Sequence, residues 1–209
     1  MNPTRGIALK IASVVVFMAM VTCIKVVSIH VPTGEAVFFR SFFAMPVILV
    51  WLWWSHDLKA GLKTAKPMAH LWRGLVGGTA MGLSFTALGL LPLPEVTAIG
   101  YASPLLVTIF AAMFLGETVR LYRLGAVLLG LVGVLIVLAP RLGSLSVEDA
   151  NRLETVGAMA MLLAAVFMAL ATIFVRKMVA SEQTAAIVFY FSLTTTVLSL
   201  ATIPFGWVM

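Results

Sequence analysis

The sequence predicts an all-α protein, a polytopic transmembrane helical bundle with seven spans. Three observations predict it. Of 209 residues, 62% are apolar and 11% charged, too little charge to cover a soluble domain of this length. The apolar residues fall in blocks of about 20, the length a helix needs to cross ~30 Å of hydrocarbon. The alternating pattern of a transmembrane β-barrel is missing from those blocks, so each must pair its backbone groups as a helix.

The spans run roughly over 7–29, 34–54, 70–91, 95–115, 122–139, 154–175 and 184–206. The first follows Arg5 and Lys10, which would suit a cleaved leader. It is long for one, and no clear A-x-A site follows, so it reads as a retained span. Pro32 marks the break before the second. A polar, basic stretch from Ser55 to Ala69 precedes the third. Leu91-Pro92-Leu93-Pro94 is a tight hairpin, and Pro94 with Glu95 suits the start of the fourth helix. Charged residues between Gly116 and Leu121 introduce the fifth. The longest polar stretch, Pro140 to Leu153, separates it from the sixth. Arg176 to Gln183 precedes the seventh.

The net charge of +6 sits in the short gaps, which is a topology signal and not a nucleic-acid patch. With the N-terminus cytoplasmic, ten of the 14 Lys and Arg residues lie on the inside. Only Arg141 and Arg152 lie outside, while Lys25 and Arg40 fall within spans. This bias predicts a multi-pass inner-membrane protein with Met209 outside. The only cysteine, Cys23, lies in the first span, which leaves no disulfide framework and no Cys/His metal spacing.

An internal repeat is visible at an offset of 150 residues. Val16-Phe17-Met18-Ala19-Met20 returns as Val166-Phe167-Met168-Ala169-Leu170. Ala36-Val37-Phe38-Phe39 returns as Ala186-Ile187-Val188-Phe189. Five spans separate the copies, so the second enters the membrane from the opposite side. Inverted repeats are a common plan of secondary transporters. A complete second copy would need three further helices beyond Met209.

The chain resembles the EamA-like family of the drug/metabolite transporter superfamily. Arg73-Gly74, Leu91-Pro92-Leu93-Pro94-Glu95 and Ser103-Pro104-Leu105 carry the resemblance. Phe114-Leu115-Gly116-Glu117 and the run from Gly130 to Ile136 extend it, with Phe38-Phe39-Arg40 in span 2. The Phe38 to Ser41 stretch is also similar to bacterial riboflavin and related metabolite carriers. The resemblance implies ten helices in two inverted five-helix repeats. On that plan residues 1–140 are the first repeat and 141–209 begin the second. It also implies secondary-active transport of a small organic metabolite by alternating access.

Candidate substrate-binding or gating residues are Lys25, Arg40, Ser84, Tyr101, Ser103, Pro104 and Tyr190. Lys25 and Arg40 are charges inside spans, where a functional role is the default. Both lie near the outer ends of their helices, where snorkelling to the interface is the plain alternative. Pro104 removes a helical hydrogen bond and permits a kink beside Tyr101 and Ser103; a harmless kink is the other reading. Ser84 is a polar group in span 3, and Tyr190 stands at the repeat position of Arg40. This low charge suits a neutral or zwitterionic solute.

Gly74, Gly78 and Gly82 form one small-residue stripe, and Ala126, Gly130 and Gly133 another. Both suit tight packing, with a sliding surface or a homodimer contact as the sharper reading. Glu117, Arg120 and Arg123 read as an anchoring cluster. His30, His56 and His70 lie at loops or span ends and do not cluster.

Other function classes have less support. No G-x-x-x-x-G-K-[ST] phosphate loop is present, and no metal or cofactor is expected. An intramembrane enzyme would need paired acids, yet the only aspartates, Asp57 and Asp149, lie on opposite sides. A membrane assembly scaffold remains the alternative to a carrier of a small-molecule substrate.

Overall fold

The computed structural model describes residues 3–56, 58–143, 149–205 and 207. Asp57, Met209 and residues 144–148 of the long polar stretch lie outside them. The described residues form nine α-helices, α1 (Pro3–Val27), α2 (Thr33–Trp54), α3 (Leu58–Gly61), α4 (Pro67–Leu90), α5 (Leu93–Gly100), α6 (Ala102–Leu115), α7 (Leu121–Gly143), α8 (Asp149–Val179) and α9 (Thr184–Leu200). A 3-10 turn at Ile203–Phe205 follows. The seven apolar blocks correspond to α1, α2, α4, α5 with α6, α7, α8 and α9. The chain crosses the bundle back and forth, so its two ends can be called the near face, where α1 begins, and the far face.

Two boundaries differ from expectation for identifiable reasons. The seventh helix stops at Leu200 instead of running to 206. Pro204 has no N–H for the carbonyl four residues back, and its ring crowds that carbonyl. The fourth block is broken at Tyr101, between α5 and α6. Pro104 does the same to the carbonyl of Gly100, next to the break.

Helices α4 and α8 form the centre of the bundle, with α2 against α9, α9 against α4, and α5 and α6 against α8. Small residues make that centre close. Ala158, Ala164, Ala165 and Ala169 of α8 are fully buried, as are Ala87 of α4 and Ala102 of α6. The apolar core adds Met81, Phe85, Leu88, Leu91, Ile99 and Met161. Lipid tails are as apolar as leucine, so shape and close approach drive such packing.

Five spans are long and apolar enough to cross a membrane by length and composition alone: Gly6–Val27, Thr33–Trp54, Leu93–Leu115, Leu121–Ala139 and Arg152–Val179. Helix α9 is apolar but shorter. Helix α4 carries five glycines together with His70 and Arg73, and its neighbours wrap it. An interior helix does not need a lipid-facing surface. Helix α1 is the reverse case, apolar and exposed along nearly its whole length.

The glycine stripe on α4 has two uses. A Cβ at Gly74 would meet Thr194 of α9 at 2.5 Å, and one at Gly78 would meet Leu198 at 3.2 Å. At Gly82 it would meet nothing within 4 Å. The stripe packs tightly against α9 in the near half and opens into a cavity in the far half.

Candidate functional site

The far-half cavity lies between α2, α4 and α9. It has a volume of ≈ 240 Å³ and includes Thr33, Thr79, Gly82, Thr86, Ser199 and Thr202 in its lining. Thr33 begins α2 and Thr202 follows the end of α9, which sets the cavity at the far face. Several of its hydroxyls donate to carbonyls of their own helix, Thr86 to Gly82 at 3.0 Å and Thr195 to Phe191 at 2.7 Å. Such internal bonds let hydroxyls sit at membrane depth without orphaned donors.

The near ends of the same helices are latched. Glu182, in the turn between α8 and α9, is buried with its side chain only 1% exposed. Its Oε1 accepts the backbone N–H groups of Ala65 (3.0 Å) and Lys66 (3.1 Å). Its Oε2 lies 3.4 Å from His70 Nε2. Lys66 Nζ donates to Ser181 Oγ at 3.4 Å. Tyr190 packs on the His70 ring with centroids 4.8 Å apart and donates its hydroxyl to the Leu62 carbonyl at 3.1 Å. Burial pushes the Glu182 carboxyl up. The Ala65 amide and the His70 and Thr64 side chains more than offset this, holding it below the ordinary carboxylate value.

Arg40 stands in the angle between α1, α2 and α4. Its Nε lies 3.4 Å from Met20 Sδ, its Nη1 contacts Met81 Sδ, and its guanidinium carbon is 6.0 Å from the Phe85 ring centroid. Arg73 of α4 lies over the Phe191 ring, 4.3 Å from its centroid. Its Nε and Nη1 are buried without a hydrogen-bond partner. Each cation leans on an aromatic face, a contact that favours guanidinium.

The candidates from the sequence therefore separate. Arg40 is exposed on α2, against the sulfurs of Met20 and Met81. Tyr190, 150 positions further on, belongs to the near-face latch. Tyr101 is exposed at the helix break, with Ser103 half-buried and Pro104 exposed beside it. Ser84 is half-buried on α4. Lys25 donates to the carbonyls of Leu88 (2.6 Å) and Leu91 (2.7 Å), capping the C-terminal end of α4. A cation there also suits the helix dipole. Glu117 pairs with Arg176 at 3.2 Å across two exposed side chains. Among the described residues, no three His, Cys, Asp or Glu side chains converge in a way that could hold a metal ion.

Sequence reasoning passed over His70, Arg73, Phe191 and Glu182 as site residues. His70 and Glu182 are 112 positions apart, so no local spacing relates them. Arg73 carried a signal, a charge three residues inside a predicted span, but it counted as a topology marker.

Residues 4–139 match the family model described as the EamA-like transporter family. The chain is 31% identical over 202 residues to the pseudopaline exporter CntI of Pseudomonas aeruginosa, covering 97% of this chain and 66% of that protein. It is 31% identical over 173 residues to the S-adenosylmethionine uptake transporter of Rickettsia bellii, covering 83% of this chain and 56% of that one. The corresponding Rickettsia felis transporter is 30% identical over 173 residues. The chain thus spans between about half and two thirds of the length of these relatives. No solved structure matches. With a family model covering most of its residues and a 31% identical relative aligned along nearly its whole length, the chain belongs to the EamA-like transporter family.

Proposed function

We propose that this chain forms part of a secondary-active carrier that moves a small organic metabolite across the inner membrane by alternating access. Residues 1–140 form its first repeat and 141–209 open the second, inverted one, with the N-terminus cytoplasmic. The relatives named as an exporter and as an uptake transporter support a metabolite carrier without fixing direction.

One observation carries the mechanism. The group α2, α4 and α9 has a hydroxyl-lined cavity at its far end and a latch at its near end, where Glu182 holds Ala65 and Lys66. A cavity toward one end and a carboxylate latch at the other suit one state of an alternating-access cycle. The repeat register supports the two-repeat plan. It pairs Val37 with Ile187, both buried, on two helices that pack together. Arg40 is the candidate solute contact, and Tyr190 is a latch residue.

Counterflow in proteoliposomes tests the reading. Vesicles holding the purified protein and preloaded with unlabelled metabolites should transiently accumulate the labelled form of a transported one. A panel of amino acids, vitamins and nucleosides that gives no counterflow, from correctly inserted protein, contradicts the carrier reading.

A further inference from the structure

Two guanidinium groups meet one row of α4. Arg73, Gly77, Met81 and Phe85 follow at four-residue spacing, a row that drifts slowly round a helix. Arg73 begins the row. Arg40 reaches over from α2 and rests on its other end, at Met81 and Phe85.

Arg73 is not posed as an interfacial anchor. Side chains on a helix lean toward its N-terminus, which for α4 is the near face, and an arginine seeking water would extend that way. Arg73 runs in the opposite direction. A Cβ on Gly77, one turn deeper, would collide with its Nη1. Glycine at 77 is what lets the guanidinium lie along the helix under Phe191. A desolvated cation with unpaired N–H groups is costly unless an anion completes it. Among the described residues, Glu117 is held by Arg176, and Glu182 lies against His70.

We propose that the two guanidinium groups on this row of α4 form an anion site, and that the transported solute carries a carboxylate or phosphate group. Arg40 meets that group from the far half and Arg73 from the near half. This rests on the carrier reading and names its substrate class, in place of the neutral or zwitterionic solute that the low charge suggests. The Arg73 guanidinium lies beside Gly77, about 6 Å along the axis from Met81, where Arg40 rests. Both cations are thus within reach of one anionic solute. The forked guanidinium suits either oxyanion.

Thermal-shift titration of the purified protein tests this with citrate, L-glutamate, inorganic phosphate and the cationic control putrescine at matched ionic strength. At least one anion should raise Tm and putrescine should not. A response to carboxylates alone or to phosphate alone identifies the oxyanion, and either supports the proposal. Arg40→Gln and Arg73→Gln should each weaken the response about tenfold or more. Arg73→Lys should retain part of it, and serves where Arg73→Gln does not fold.

The proposal is overturned if no anion shifts the wild type, or if both Gln variants respond as it does. It is also overturned if only phosphatidylglycerol vesicles stabilise the protein, because the arginines then hold lipid headgroups. Counterflow of a neutral metabolite without any anion response keeps the carrier reading and removes this one.

Discussion

Lys25 Nζ lies 2.7 Å from the carbonyl oxygen of Leu91, 66 residues along the chain. With its second bond to Leu88, it joins the exposed helix α1 to the end of the central helix α4. Lys25→Met should therefore weaken α1 docking and leave two carbonyls unpaired, at a cost of about 2 kcal/mol. Lys25→Arg should recover much of it. Unfolding in a denaturing detergent titration measures this. A variant of unchanged stability that no longer binds solute would instead put Lys25 at the site.

The glycines of α4 should respond by position. Gly74→Ala drives a Cβ to 2.5 Å from Thr194, and overpacking of that kind costs about 1–3 kcal/mol. Gly82→Ala meets open space and should leave stability near the wild-type value while shrinking the far-face cavity. Equal losses of thermal stability at the two positions would argue against a stripe that is packed at one end and open at the other.

The latch at Glu182 carries a pH dependence of known sign. Its carboxyl titrates below the ordinary value in the folded chain. Its contribution is therefore complete above the unfolded carboxylate pKa and is lost as pH falls through the folded one. Hydrogen exchange at Ala65 and Lys66, corrected for intrinsic rates, should show protection that holds through neutral pH and collapses only in strong acid. Glu182→Gln should leave those amides less protected at neutral pH, with the difference vanishing in acid. Protection in that variant equal to wild type would mean the carboxylate does not hold the segment.

Much of this fold was legible in the sequence because lipid imposes simple demands. Twenty-residue apolar blocks, Pro32 and the Leu91–Pro94 hairpin are local signals, and they located the helices. Pro104 announced the break at Tyr101 by the same local chemistry. Pro204 is an equally local signal, yet its effect on the last helix went unread because apolar residues continue past it. The site was less legible. The latch joins His70 to Glu182 and Leu62 to Tyr190, pairs that only the packing of α4 and α9 brings together. Arg73 looked like an edge charge until Gly77 and Phe191 showed that it points inward. Arg40 and Tyr190 are 150 positions apart but not neighbours, because α2 starts at the far face and α9 at the near face.

Two-sided accessibility tests the central claim most directly. Single cysteines at Thr79, in the far-face cavity, and at Leu62, under the near-face latch, are placed in a Cys23→Ser background and labelled with maleimide in detergent. The account predicts that Thr79→Cys reacts readily and Leu62→Cys slowly in the resting protein. Adding a transported solute should change the two rates in opposite directions. Rates that stay fixed with saturating solute, or that rise and fall together, would contradict alternating access.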